Sequence, residues 1–75
     1  MIFEKVSEAL AVQFEVDQSE ITMETNFIDD LQADSLDLVD LVMELEDEYG
    51  IEFPEEKIDE FRTVGDVVNY IEENR

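Results

Sequence analysis

The chain of 75 residues contains no cysteine and no histidine. Those two absences remove disulfides, thiolate metal sites, the commonest zinc ligand and the commonest general base together. Positive charge is scarce as well: Lys5, Lys57, Arg62 and Arg75 are the only bases against 23 acids, and residues 6–56 carry none. A formal charge of −19 repels nucleic acid and anionic lipid head groups and steers the chain toward proteins with Lys/Arg patches or toward divalent cations. No apolar run approaches a membrane span, and Met1-Ile2-Phe3-Glu4-Lys5 has neither the basic nor the apolar region of a signal peptide. Internal repeats and sustained strand-like alternation are also missing. The expectation is one small cytoplasmic, monomeric domain over residues 1–75. A core of that size supplies only roughly 3 to 5 kcal/mol net and leaves no room for both a catalytic cleft and its scaffold.

So acidic a composition would suggest disorder, were it not that 44% of the residues are hydrophobic and fall in periodic clusters. Phe3, Val6, Leu10 and Phe14 recur at helical steps, with Ile2 and Ala9 beside them, which predicts a first helix over about residues 2–15. Residues 16–34 lack that period but hold Ile21, Phe27, Ile28 and Leu31, so they read as a long loop packed on the body. A second helix runs from Leu36 to Tyr49, with Asp34 or Ser35 as its N-cap and Gly50 at the left-handed C-terminal position. Ile51 to Pro54 is extended, and Glu55 to Phe61 makes at most two helical turns opened by Pro54. Thr63, with Asp66 three residues on, caps a last helix whose stripe is Val64, Val67, Val68 and Ile71, weakened only by Gly65. The predicted fold is all-α: a small bundle of three longer helices plus one short helix, with a long ordered loop between the first and second.

The second helix has two apolar faces. At 100° per residue, Leu38, Leu41, Val42, Leu45 and Tyr49 form the core stripe, while Leu36, Val39 and Met43 fall on a roughly opposite strip edged by Asp40, Glu46 and Asp47. A bundle this small has little with which to cover both sides. Three apolar residues in register, rimmed by carboxylates, have the form of a docking surface: charge brings in a basic partner and the apolar strip supplies dry contact.

Ser35 stands at the mouth of this helix. A serine before an apolar-periodic run is ordinarily a cap, and spacing alone does not lift it above that. The surrounding residues do. Phe27-Ile28-Asp29-Asp30-Leu31-Gln32-Ala33-Asp34-Ser35-Leu36-Asp37 resembles the phosphopantetheine-attachment motif of acyl carrier proteins, and the similarity continues through Leu41 to Glu46, Ile51 to Pro54, Arg62 to Val68 and Tyr70-Ile71. The resemblance implies a carrier, not an enzyme. Ser35 would accept 4'-phosphopantetheine from coenzyme A by the action of a separate phosphopantetheinyl transferase, and the thiol of the arm would carry growing acyl chains as thioesters to fatty-acid synthesis enzymes with basic docking patches. Partner recognition would fall on Asp34, Leu36, Asp37, Val39, Asp40, Met43, Glu46 and Asp47. The acyl chain would shelter in a pocket lined by Phe27, Leu45, Phe53, Phe61, Val67 and Ile71. Gln32 departs from the glycine usual before Ala-Asp-Ser-Leu, and Phe53 and Phe61 are aromatic where aliphatic residues are commoner. The alternatives are a carrier domain of a polyketide, D-alanyl or peptidyl pathway, or an acidic calcium-binding module. No metal site is expected beyond weak divalent binding at Asp29, Asp34 and Asp37, whose spacing lacks the glycine and terminal glutamate of an EF-hand loop.

Overall fold

A computed structural model describes residues 2–75. Its helices are α1 (Ile2–Phe14), α2 (Ser35–Tyr49), α3 (Glu55–Ile58) and α4 (Val64–Asn74), with one 3-10 turn at Gln18–Glu20. The all-α bundle of three longer helices and one short one therefore stands, and α3 is a single turn, within the two at most that were expected. Its brevity has a local cause: Pro54 at its N-cap offers no side-chain acceptor to the first amides, so nothing but packing extends the turn.

Every longer helix turns the stripe its periodicity marks toward the core, with Phe3, Phe14 and Tyr49 half-buried at its edge. Val6 and Leu10 of α1, Leu41, Val42 and Leu45 of α2, and Val64, Val67, Val68 and Ile71 of α4 meet in one core, into which the loop inserts Ile21 and Phe27. Among the large apolar residues of the 16–34 loop, Ile28 departs from expectation: it is exposed, because the loop turns around Asn26 and points it outward. Helix α1 stops one residue early, at Phe14. Glu15 takes up a left-handed backbone (φ 54°), and the Val16 amide returns to the Ala11 carbonyl at 3.1 Å, closing the end as a glycine would usually do.

Backbone hydrogen bonds stitch the long loop to the start of α4. The amides of Phe27, Val64 and Gly65 donate to the carbonyls of Arg62, Thr25 and Met23 at 2.9, 3.0 and 2.8 Å, and Asn26 and Thr63 form an isolated antiparallel bridge. Gly65 belongs to this seam. A Cβ there would stand 3.0 Å from the Met23 carbonyl oxygen, so the glycine that weakens α4 locally is what lets the loop come close.

Candidate functional site

The first turn of α2 is held from three sides. Asp34 caps the helix: its Oδ1 accepts from the Asp37 amide at 3.0 Å, while Asp37 Oδ2 accepts from the Asp34 amide at 3.2 Å. Gln13 of α1 donates from Nε2 to the Asp37 carbonyl at 2.8 Å, and the Ala33 amide donates to the Phe27 carbonyl at 2.8 Å. Below them the 26–31 turn is knitted by Asn26, whose Oδ1 accepts from the amides of Ile28 and Asp29 and whose own amide donates to Asp30 Oδ2. The consequence falls on Ser35. Since Asp34 does the capping, Ser35 is the first residue within the helix, its side chain exposed and its hydroxyl unpaired among the described residues.

The same arrangement leaves the backbone amides of Ser35 and Leu36, at the positive end of the helix dipole, without an acceptor among the described residues. An ester oxygen here would carry its phosphate beside free N–H groups, as anions at helix N-termini do. No side chain among the described residues hydrogen-bonds the hydroxyl, and the neighbouring Asp34 and Asp37 carboxylates each spend an oxygen on the capping box. Ser35 is therefore a presented group rather than an activated nucleophile.

Beyond Ser35, α2 shows its second face. Leu36 is 73% exposed and Met43 58%, values no core residue approaches, while Val39 is half-buried at the edge of the strip. Asp40 and Asp47 are exposed beside them. Glu46 differs from the other acids of the strip: it is half-buried and its Oε2 accepts from the Phe53 amide at 2.8 Å.

Residues 4–71 match the family described as phosphopantetheine attachment site. The chain is similar to an acyl carrier protein from Clostridium acetobutylicum, 56% identical over 71 residues that cover 95% of this chain and 92% of that one. The chain belongs to the acyl carrier proteins. Another relative, from Lactobacillus acidophilus, is 47% identical over 99% of this chain and 92% of its own. Among solved structures, that of an acyl carrier protein from Enterococcus faecalis superposes with a TM-score of 0.86 at 36% identity, covering 99% of this chain and 94% of the other. Like its family, this acyl carrier protein is a non-catalytic carrier with a phosphopantetheine attachment site.

The six candidates for an acyl pocket are all core residues in this state of the acyl carrier protein. Phe27, Val67 and Ile71 are fully buried, and Leu45, Phe53 and Phe61 nearly so. Two of them also touch surface grooves. Leu45 floors one of about 230 Å³ between α1 and α2, with Ala9 and Val12, and Phe61 borders one of about 200 Å³ beside Tyr70. Phe53, Phe61 and Tyr70 instead pack into an aromatic cluster, with Phe53 centroids 5.9 Å from Phe61 and 4.8 Å from Tyr70.

Asp29, Asp34 and Asp37 are not drawn into a cation cage. Among the described residues no three acidic side chains converge as metal ligands, and two of these three spend an oxygen on the capping box. Among the described residues the one titratable group displaced from its ordinary range is Tyr49, far along α2 from Ser35. Burial, and secondarily the Glu48 carboxylate, push its hydroxyl pKa up. Reading the sequence alone missed Asn26 and Gln13, which position the Ser35 turn, and the inward bond of Glu46. Asn26 had a usable signal, an Asx residue opening a turn; the reach of Gln13 and Glu46 to their partners had none.

Proposed function

We propose that Ser35 is the residue that carries 4'-phosphopantetheine, and that residues 1–75 form one carrier unit working in the cytoplasm as a monomer. The carrying observation is the division of labour at the start of α2: Asp34 caps the helix, and the exposed Ser35 hydroxyl is left unpaired next to two free amides. A serine needed as the cap would be less free to react. In the loading reaction the Ser35 Oγ forms a bond to the β-phosphorus of coenzyme A as the pyrophosphate link breaks and 3',5'-adenosine bisphosphate leaves. The hydroxyl proton goes to a base of the transferase, since no side chain among the described residues is hydrogen-bonded to the Ser35 hydroxyl to take it. When attached, the arm supplies a thiol on which acyl groups ride as thioesters.

A phosphopantetheinyl transferase and fatty-acid synthesis enzymes with basic patches are the partners this reading assigns. Support comes from the exposed Leu36 and Met43, the half-buried Val39, and the carboxylates of Asp34, Asp37, Asp40, Glu46 and Asp47 around them. Such a surface gives charge steering first and apolar contact second. The acyl chain would enter among Phe27, Leu45, Phe53, Phe61, Val67 and Ile71, which must part to admit it, because they are packed against one another.

Incubation with coenzyme A, magnesium and a phosphopantetheinyl transferase should raise the intact mass by one phosphopantetheine, with fragmentation mapping the addition to Ser35. The Ser35→Ala variant should stay at its original mass. An addition that persists in that variant would refute the assignment.

A further inference from the structure

Val12 is the most exposed large apolar side chain among the described residues, at 78%, and neither the attachment site nor the outer strip of α2 uses it. On the helical wheel it stands about 160° round α1 from Leu10, well outside the core stripe. It is not isolated. Val12 and the half-buried Ala9 line the groove of about 230 Å³ between α1 and α2, with Leu45 as its floor. The two helices run antiparallel and are tied at both ends of the groove. Gln13 Nε2 donates to the Asp37 carbonyl at 2.8 Å beside the Ser35 turn, and Lys5 Nζ stands 3.5 Å from Glu48 Oε1 at the far end. The stretch of α1 from Lys5 to Gln13 is about 12 Å, or roughly two helical turns. The groove is therefore preformed and open to water along that length.

Charge determines what can lie in it. The rim carries Glu8, Glu44 and Glu48 against Lys5 alone, and because Lys5 is paired with Glu48, Glu8 and Glu44 have no ion-pair partner among the described residues. The formal charge of −19 sets a second copy of the chain against this surface, along with nucleic acid and anionic lipid. A volume of about 230 Å³ falls short of the roughly 300 to 1,000 Å³ of small-molecule sites and suits one or two inserted side chains. The complementary occupant is a segment of another protein, with an apolar residue for the floor and Lys or Arg beside it for the rim. A trough between two antiparallel helices receives a third helix, whose side chains at three- and four-residue steps point into it.

The groove also lies apart from the outer strip. Glu44 and Glu48 stand about 80° and 120° round α2 from Leu36, on the flank turned toward α1, whereas Val39 and Glu46 border the strip on its other flank. We propose that the groove of Ala9, Val12 and Leu45 is a second docking surface, which takes a cationic amphipathic helix of a partner protein and requires neither Ser35 nor the outer strip. A protein held there meets the chain whether or not Ser35 carries a group. The groove thus serves recognition of the carrier rather than of its cargo.

Titration of the isotope-labelled, unmodified full chain with a synthetic amphipathic helical peptide of leucine and lysine, followed through amide chemical shifts, tests this. The shifts should centre on Ala9, Val12, Glu44 and Leu45. Val12→Ser should weaken binding about fivefold or more, because much of one side chain's apolar contact is lost. So exposed a substitution leaves Tm close to that of the parent. Replacing Glu8 and Glu44 together by glutamine should weaken binding as well and flatten its dependence on salt. If Leu36 and Met43 shift too, Val12→Ser should remove the groove shifts and leave those of the strip. Absence of saturable binding, shifts confined to the outer strip, or equal affinity of parent and Val12→Ser at the groove would each overturn the proposal. None of these outcomes bears on where phosphopantetheine is attached, so the two readings stand or fall separately.

Discussion

Gln32 holds a left-handed backbone at φ 54°, two residues before the cap of α2. A side chain in that region crowds its own carbonyl, and only glycine escapes the cost of roughly 1 to 2 kcal/mol. Part of the gain from a glycine is returned through the greater freedom of the unfolded chain. Gln32→Gly should therefore stabilise the domain by about 0.5 to 1 kcal/mol, seen as a rise in Tm of roughly 3 to 6 °C. A lowered Tm would mean that the Gln32 side chain makes a contribution its exposed position does not suggest. The same conformation at Glu15 shows that this fold tolerates two such residues, each at the end of a segment where the chain must reverse.

Helix α2 is one element with two separable duties. Its inner face is packed to the limit, with Leu41 1% exposed, so Leu41→Ala should cost about 2 to 5 kcal/mol and act on stability. Its outer face carries no such load. Leu36→Ala and Met43→Ala should leave the unfolding free energy within about 0.5 kcal/mol of the parent, since exposed apolar atoms make few contacts to lose. Both should nevertheless slow modification of Ser35, lowering kcat/KM for the transferase by roughly tenfold, as truncation of an interface anchor does. Comparing melting curves with transferase kinetics across the three variants checks the division; a slow, unstable Met43→Ala protein would mean the strip is part of the core after all.

For the whole molecule, charge is the dominant tension. The principal extents are 27 × 24 × 18 Å, so at about 10 mM salt, where the screening length is about 30 Å, every acid senses every other. Favourable charge pairing is slight in comparison. Lys5 and Glu48 stand 3.5 Å apart with more than half of each side chain in water, an arrangement worth at most about 1 kcal/mol. Raising sodium chloride from about 10 mM to about 0.5 M should thus raise Tm by roughly 5 °C or more, because screening relieves far more repulsion than attraction. Differential scanning calorimetry over that range decides it, and a Tm that falls with salt would show that a few specific ion pairs outweigh the net field. Magnesium should act through the same diffuse field, since the described acids form no cage for it.

The local order of the chain was legible from residues close in sequence. The stripes at three- and four-residue steps, the Thr63/Asp66 capping box and the stop at Gly50 stand in the fold where the periodicity put them, and the outer strip of α2 followed from the same wheel. Such features depend on a helix's own geometry, which neighbouring residues determine. Contacts that close across the chain were not readable in this way. The reach of Gln13 to the Asp37 carbonyl and the close approach of the Met23 carbonyl that requires Gly65 were decided only when distant segments met. Periodicity marks which face of a helix is buried, but a single hydrogen bond between residues far apart leaves no period, so only the tertiary structure could choose among the partners that the composition allowed.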